Sequence, residues 1–258
     1  MRLDLYLFVN GYVKSRQKAK ILIETNNVTV NNKTISKPSF DVDEKTEYDI
    51  KIFDDCKYVS RGGIKLEKIL DLSKINVTDA VCLDIGASTG GFTDCLLQHG
   101  AKKVFALDSG TNQLDQSLKN SNRVVSIENF NAKSVDISII NEMIDVITID
   151  VSFISQTLIM KNAFTVLKDD GKYVSLIKPQ FEVGREKIGK GGIVKKEKDR
   201  LFAVNKVIDF AENLGYCCTN FIKSPISGGD GNIEYLAIFE KSKNKVEKEY
   251  INKIVLDR

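Results

Sequence analysis

Leu83-Asp84-Ile85-Gly86-Ala87-Ser88-Thr89-Gly90-Gly91-Phe92, together with the apolar segment Lys103 to Leu107 that ends at Asp108, decides the fold. Val81 to Ile85 is short and mostly apolar, the glycines interrupt any regular element, and Phe92 to Gln98 reads as a helix ended by Gly100. The pattern is strand, tight turn, helix. Without side chains, Gly86, Gly90 and Gly91 let the backbone approach a ligand, and the turn presents N–H groups at a helix N-terminus. The second strand brings Asp108 to the edge of the same crevice, where a carboxylate can accept both hydroxyls of a ribose. The expected ligand contains ribose.

The spacing of the turn narrows the choice. A dinucleotide site uses G-x-G-x-x-G to seat a pyrophosphate, whereas this turn reads G-x-x-x-G-G with Asp84 just before it. A carboxylate there repels phosphate and suits the sulfonium and amino group of S-adenosylmethionine. Asp84, Gly86, Ser88, Gly90, Gly91, Phe92 and Asp108 are the expected cofactor contacts. The competing reading is that the glycines only close a strand–helix turn; the strand context and Asp108 weigh against it.

Outward from this turn, apolar strand-like segments recur at 81–85, 103–107, 124–127, 144–149, 172–177, 217–223 and 233–239, with helical segments between most of them. Such alternation predicts an α/β fold with a doubly wound, mostly parallel, seven-stranded Rossmann-like sheet and its crevice at the strand carboxyl ends. Asp150 follows the strand Ile144 to Ile149, and Lys178 follows Tyr173 to Ile177. Opposite charges on two strand ends at the expected crevice favour a site over charges merely reaching water.

Upstream, Leu3, Tyr6 and Leu7 recur at helical spacing, and Ser15 can cap a second helix with Ala19, Leu22 and Ile23 inward and Arg16, Lys18 and Lys20 outward. Val28 to Val30, Asn31-Asn32 and Thr34-Ile35 then read as a hairpin. Residues 1–37 carry seven basic side chains against Asp4 and Glu24, although the whole chain of 258 residues is only +3. The positive charge is therefore concentrated at the N-terminus, and this part resembles the small S4 RNA-binding domain. Arg2, Arg16, Lys18 and Lys20 are its candidate RNA contacts. Asp41 to Asp55 serves as linker or last strand, giving domains 1–55 and 56–258.

Other classes are disfavoured. No apolar run approaches a membrane span, and Met1-Arg2-Leu3-Asp4 is not a signal peptide, so a cytoplasmic protein is expected. Cys56, Cys82, Cys95, Cys217 and Cys218 are odd in number and lack a C-x-x-C pair, so they read as reduced core thiols with no metal site. His99, the only histidine, sits before Gly100 as a helix cap. The tail from Val246, with Tyr250, Ile251, Ile254 and Val255 at helical spacing, reads as a closing helix.

Five ordered motifs carry a closer resemblance: Tyr58-Val59-Ser60-Arg61-Gly62-Gly63-Ile64-Lys65-Leu66, the turn from Asp84 to Asp94, Ala106 to Leu114, Leu176 to Glu186, and Gly231 to Tyr235. Together they resemble the TlyA-type ribosomal RNA ribose methyltransferases, relatives of FtsJ also known as haemolysin A, over nearly the whole chain. The resemblance implies a class I methyltransferase domain using S-adenosylmethionine, with ribosomal RNA or ribosomal subunits as partner and the 2′-hydroxyl of a ribose, cytidine by family, as acceptor. It implies a catalytic tetrad at Lys65, Asp150, Lys178 and Glu234, and adenine contacts at Asn129 and Phe130, with Asp150 also at the cofactor. Lys178 is the candidate base: a neighbouring Lys65 cation, a sulfonium and partial burial favour its neutral form, while Asp150 and Glu234 oppose that and orient the group. Gly184 to Gly192 resembles a mobile basic loop able to track RNA phosphates. In the family, terminal length accompanies whether one or both ribosomal subunits are modified; this chain begins at the first small-domain helix, which leaves the substrate range open. Two rivals differ in class. A base-nitrogen methyltransferase would carry Pro-Pro-aromatic after the acid, where this chain has Asp150-Val151-Ser152-Phe153. A membrane-active haemolysin finds no spanning segment.

Overall fold

The computed structural model describes residues 1–24, 27–44, 46–52, 57–228 and 231–257. It divides into two compact units, Met1–Cys56 and Lys57–Arg258. The expected boundary at Cys56, and Cys56 as a core thiol, fall outside the described residues.

In the small unit, α1 (Leu3–Val9) and α2 (Arg16–Glu24) pack with β1 (Val28–Val30), β2 (Lys33–Thr34) and β3 (Ile50–Ile52), an antiparallel sheet of order β2-β1-β3. Ser15 starts α2 by accepting the Lys18 N–H at 3.1 Å. Asn31 and Asn32, both at positive φ (50° and 63°), make the two-residue hairpin turn. Asparagine tolerates that conformation, and the turn's twist matches that of the strands. Leu3, Leu7, Ala19, Leu22, Ile23, Val28, Val30 and Val42 form the core. The segment read as linker or strand supplies β3, which pairs with β1.

The large unit runs α3 (Gly62–Ser73), β4 (Val81–Ile85), α4 (Gly91–Gln98), β5 (Lys103–Leu107), α5 (Gln116–Lys119), β6 (Val124–Ile127), α6 (Ile137–Ile140), β7 (Ile144–Ile149), α7 (Thr157–Val166), β8 (Leu167–Ile177), α8 (Pro179–Glu182), α9 (Glu197–Asn213), β9 (Cys217–Lys223), β10 (Tyr235–Glu240) and α10 (Lys248–Val255). The seven strands lie in the order β6-β5-β4-β7-β8-β10-β9, with β10 antiparallel to both neighbours and the other pairs parallel. Alternate strand residues face opposite sides. Leu83 and Ile85 share a core with Ile159, Met160, Val204, Ile208 and Ile251 of α7, α9 and α10, whereas Cys82 and Val104 share one with Leu66, Ile69, Cys95 and Leu96 of α3 and α4. This is the doubly wound, mostly parallel sheet expected. The strand order reverses between the parallel neighbours β4 and β7, which puts the crevice at Gly86 and Asp150.

Two strands differ in their limits from the sequence reading. β8 starts at Leu167, because a register shift between Ile144 and Val146 lets the strand run through the turn-like Asp169-Asp170-Gly171. β10 starts at Tyr235, so Glu234 stands just outside the ladder. His99 is the C-cap residue of α4, its Nδ1 lying 2.8 Å from the Cys95 carbonyl. Cys82, Cys95 and Cys218 are free and buried, and burial pushes each thiol up to about 12.

Candidate active site

The glycine turn is built to fit the protein first. A side chain on Gly86 (φ +83°) would meet the Asp150 carbonyl oxygen at 2.4 Å, one on Gly90 (φ +97°) would meet Leu118 at 2.2 Å, and one on Gly91 would meet Ser60 Oγ at 2.2 Å. The vacant side-chain positions therefore face packed protein, so a side chain at any of the three would force the turn or its neighbours to shift. The turn's N–H groups are also used internally: Gly86 and Ala87 donate to the Leu107 carbonyl at 2.8 and 3.1 Å, and Gly90 donates to Ala87 at 2.7 Å. Phe92 is buried against the core.

Asp84 and Asp108 occupy different environments. Asp84 is fully buried, and its two oxygens accept from Thr93 Oγ1 at 2.7 Å and Thr148 Oγ1 at 2.9 Å. Burial pushes its carboxyl up to about 6 although both threonines pull it down. With no exposed atom it cannot touch a sulfonium, so the direct contact expected of it is corrected: its side chain lies beneath the turn. Asp108 stands at the rim and braces two loops, accepting from Ser88 N–H at 2.8 Å and Gly110 N–H at 2.7 Å. Each carboxylate oxygen keeps a second acceptor site.

Asp108 lines an open pocket with Ala87, Ser88, Gly110, Gln113, Ser126 and Glu128. A rim carboxylate with spare acceptor capacity beside small residues fits an adenosine ribose. Asn129, at φ +53°, donates its N–H to the Gly110 carbonyl at 3.0 Å, and Phe130 donates to Asp108 O at 3.0 Å while its ring packs on the core. Asn129 and Phe130, expected to hold adenine, thus brace the pocket residues Gly110 and Asp108 through their backbone without lining the pocket themselves. Gln113, which the sequence did not single out, accepts from Ser88 Oγ at 3.2 Å.

The other half of the crevice lies at the ends of β7, β8 and β10. Asp150 follows β7 and Lys178 follows β8; β10 pairs with β8 so that Tyr235 faces Ile177, which brings Glu234 alongside Lys178. Lys65, on the first turn of α3, reaches Glu234 at 2.6 Å, and Lys178 Nζ lies 2.5 Å from Asp150 Oδ1 and 3.1 Å from Ser152 Oγ. All four tetrad candidates are therefore brought together as two ion pairs. The pairing corrects one expectation. Lys65 is neutralised by its own carboxylate, so it does not act on Lys178 as an isolated cation. Asp150 Oδ1, though within ion-pair distance of Lys178, accepts no hydrogen bond of good angle and keeps acceptor capacity.

Two further features stand at this rim: Phe153, which had no sequence signal, and Asn232, inside the Gly231 to Tyr235 motif. Phe153 is 93% exposed with φ +63°, tilted against Phe181 at 5.2 Å between ring centres. A large aromatic in left-handed backbone and in water costs energy unless surrounding structure imposes it. Asn232 is buried and pins the basic segment from Arg185 to Val194, accepting from Val194 N–H at 3.0 Å and donating to the Gly192 carbonyl at 2.9 Å. In that segment Arg185 and Lys190 are exposed, and the Lys187 ammonium sits 3.7 Å over the Phe202 ring.

In the small unit, Arg2 and Arg16 both donate to buried Asp4, their Nε atoms at 2.9 and 3.0 Å, and both side chains stay about half exposed. Burial would raise the Asp4 carboxyl, but the two guanidiniums outweigh it and hold it below the usual carboxylate range. Arg16 is thus braced rather than simply outward-facing. On α2, Lys20 is exposed and Lys18 half-buried.

Comparison with known proteins agrees with this layout. The FtsJ-like methyltransferase model matches residues 58–241, and the S4 domain model matches residues 1–47. Hemolysin A of Brachyspira hyodysenteriae is 48% identical over 244 residues, covering 93% of this chain and 99% of that one. The 16S/23S rRNA (cytidine-2′-O)-methyltransferase TlyA of Mycobacterium tuberculosis is 38% identical over 91% of this chain and 87% of its own. A solved hemolysin-type structure from Streptococcus thermophilus superposes with a TM-score of 0.79 at 38% identity, covering 100% of this chain and 94% of that one.

Proposed function

The chain belongs to the FtsJ-like methyltransferase family and carries an S4 domain at its N-terminus, and on that premise we propose that it methylates the 2′-hydroxyl of a cytidine ribose in ribosomal RNA, working on ribosomal subunits in the cytoplasm. It is a methyltransferase whose cofactor is S-adenosylmethionine, which when bound supplies an electrophilic methyl group on sulfur. Asp108 and Ser88 would hold the adenosine end of that cofactor. The observation that carries the reading is the pair of ion pairs, Lys178–Asp150 and Lys65–Glu234, at the mouth of the crevice.

A 2′-hydroxyl is a weak nucleophile and must lose its proton as its oxygen gains a methyl group. Lys178 Nζ receives that proton in this reading. Asp150, whose Oδ1 lies 2.5 Å from Nζ, is the counter-charge that holds the ammonium formed when the neutral amine takes the proton. Lys65 and Glu234, held as a buried pair, fix the opposite wall and orient the ribose. Phe153 offers an exposed ring on which the base of the acceptor nucleotide can stack. Arg2, Arg16, Lys18 and Lys20, with Arg185 and Lys190, supply cations for RNA phosphates.

No helix among the described residues is long and apolar enough to cross a membrane, so nothing in the fold favours the membrane-active reading. The deciding experiment is incubation with unmodified ribosomal subunits and labelled cofactor, then mapping of the product nucleotide by mass. A 2′-O-methyl group protects the adjacent phosphodiester from alkali. A methyl group on a base would leave that bond labile and sink the assignment.

A further inference from the structure

Glu182 lies four residues after Lys178, at the end of α8, and is buried. Its oxygens accept from Ser155 Oγ at 2.5 Å, from the Gln156 backbone N–H at 2.9 Å and from Lys206 Nζ of α9 at 3.0 Å. Lys206 also donates to Ser155 Oγ at 3.2 Å and to the Glu182 carbonyl at 3.1 Å, and Gln156 Oε1 accepts from Ser175 Oγ of β8 at 2.5 Å. Ser155 and Gln156 end the loop that begins at Asp150, while Glu182 ends the segment that begins at Lys178. One buried carboxylate therefore ties together the loops that follow the two strand ends of the Lys178–Asp150 pair. Between the ties stand Ser152, which accepts from Lys178, and Phe153, in left-handed backbone. Such a conformation persists only when its surroundings over-determine it.

We propose that Glu182 is a positioning residue for methyl transfer: through Ser155, Gln156 and Lys206 it fixes the 151–156 loop so that Ser152 and Phe153 meet Lys178 and the acceptor nucleotide in one geometry. This rests on the ribose-methyltransferase reading given above. All its polar partners are donors, so a carboxylate, with acceptor sites only, matches them. A glutamine at 182 turns an N–H toward one of those donors and removes the counter-charge of Lys206. A small displacement of a reactive group costs up to about 100-fold in rate.

The test uses the full chain. Glu182→Gln should lower kcat on ribosomal subunits by about 10–100-fold with cofactor affinity unchanged within about twofold, because the Asp108 pocket lies beside β5 and β6. Glu182→Asp, keeping charge and acceptors, should recover part of the loss. In the double variant Glu182→Gln with Phe153→Ala, kcat should be no lower than in the worse single variant, since both act through one loop. Lys206→Met, at a partly exposed position, provides a second route if Glu182→Gln folds poorly, and should give a smaller loss of the same kind. Amide hydrogen exchange gives a readout free of activity: residues 151–156 should exchange faster in both variants while Ser88 to Gly91 stay unchanged. Unchanged exchange in that loop, multiplicative losses in the double variant, or kcat within twofold of wild type would overturn the proposal. Faster exchange in a protein that methylates no RNA would instead count against the function and leave the clamp standing.

Discussion

In the small unit one carboxylate, Asp4, gathers two arginines whose side chains remain about half exposed, whereas in the methyltransferase unit Lys65 and Lys178 each have a carboxylate of their own and expose only 11% and 13% of their side chains. On the proposed function, the difference follows from what each cation would meet. A phosphate backbone is reached from solvent, and a braced guanidinium with outward N–H groups can grip it without much further ordering. A single hydroxyl must be met in a shielded place, where an unpaired ammonium would be costly and a paired one is held in position. On that reading, excess charge would mark the docking surface and balanced charge the chemistry.

The comparison is broken most severely at Lys178. Lys178→Met keeps the bulk of the stem and removes the nitrogen, so methyl transfer should fall by about 10²–10⁴-fold while cofactor affinity measured by calorimetry stays near wild type. Lys65 or Glu234 would be poorer choices, because removing one partner of their buried pair leaves an uncompensated charge and costs about 3–5 kcal/mol of stability. A Lys178→Met enzyme retaining a tenth or more of its rate would move the proton to another group.

Two aspartates sharpen the contrast next. Asp84 is pushed up to about 6 from an ordinary 3.8, so between those pH values the folded state binds its proton more tightly than the unfolded chain. Its contribution is complete below about pH 4 and is lost as pH rises through 6, a change on the order of 3 kcal/mol. Asp4 is shifted the other way, and its contribution is lost as pH falls through its lowered folded value. The stability difference between wild type and Asp84→Asn, followed by urea titration from pH 4 to 7, should therefore shift in favour of the variant as pH rises. A flat difference would mean that Asp84 is not held as the structure shows. Asp108→Ala acts on ligand rather than fold: S-adenosylmethionine binding should weaken by about 1.5–3 kcal/mol, with the Ser88 turn loosened as well.

These cases show where sequence reading reached and where it stopped. The strand–turn–helix pattern around Gly86 and the alternation of apolar segments suffice for the sheet because both follow from local chemistry and period. Asp150 and Lys178 are placed by the same logic, since each ends an apolar strand. Which carboxylate pairs with which lysine is a matter of register between β8 and β10 and of the path of α3, and neither is local. The burial of Asp84 did leave a trace: Thr93 and Thr148 are hydroxyls in otherwise apolar surroundings, the partners a buried carboxylate requires. Phe153 left none, because its exposure and positive φ are imposed by loops that meet only in the folded chain. Glu182 reads simply as one more charged residue beside a basic segment.

The smallest effects belong to the small unit, where they test whether bracing matters beyond charge. Each contact to a phosphate contributes roughly 0.7–0.9 of a unit to the salt dependence of RNA binding whether an arginine or a lysine makes it, so Arg2→Ala, Arg16→Ala and Lys20→Ala should each flatten the slope by about one unit at most. Affinity at one fixed salt concentration should separate them. Arg2 and Arg16 are already ordered by Asp4 and surrender less side-chain freedom on binding than a flexible lysine, a saving on the order of 1 kcal/mol. Their removal should therefore weaken RNA binding more than removal of Lys20, and Asp4→Asn should weaken it as well even though it makes the unit more positive. Charge alone predicts the reverse for Asp4→Asn. Tighter RNA binding by that variant, with Arg16→Ala no worse than Lys20→Ala, would leave the small unit as a patch of charge and remove the braced pair from recognition.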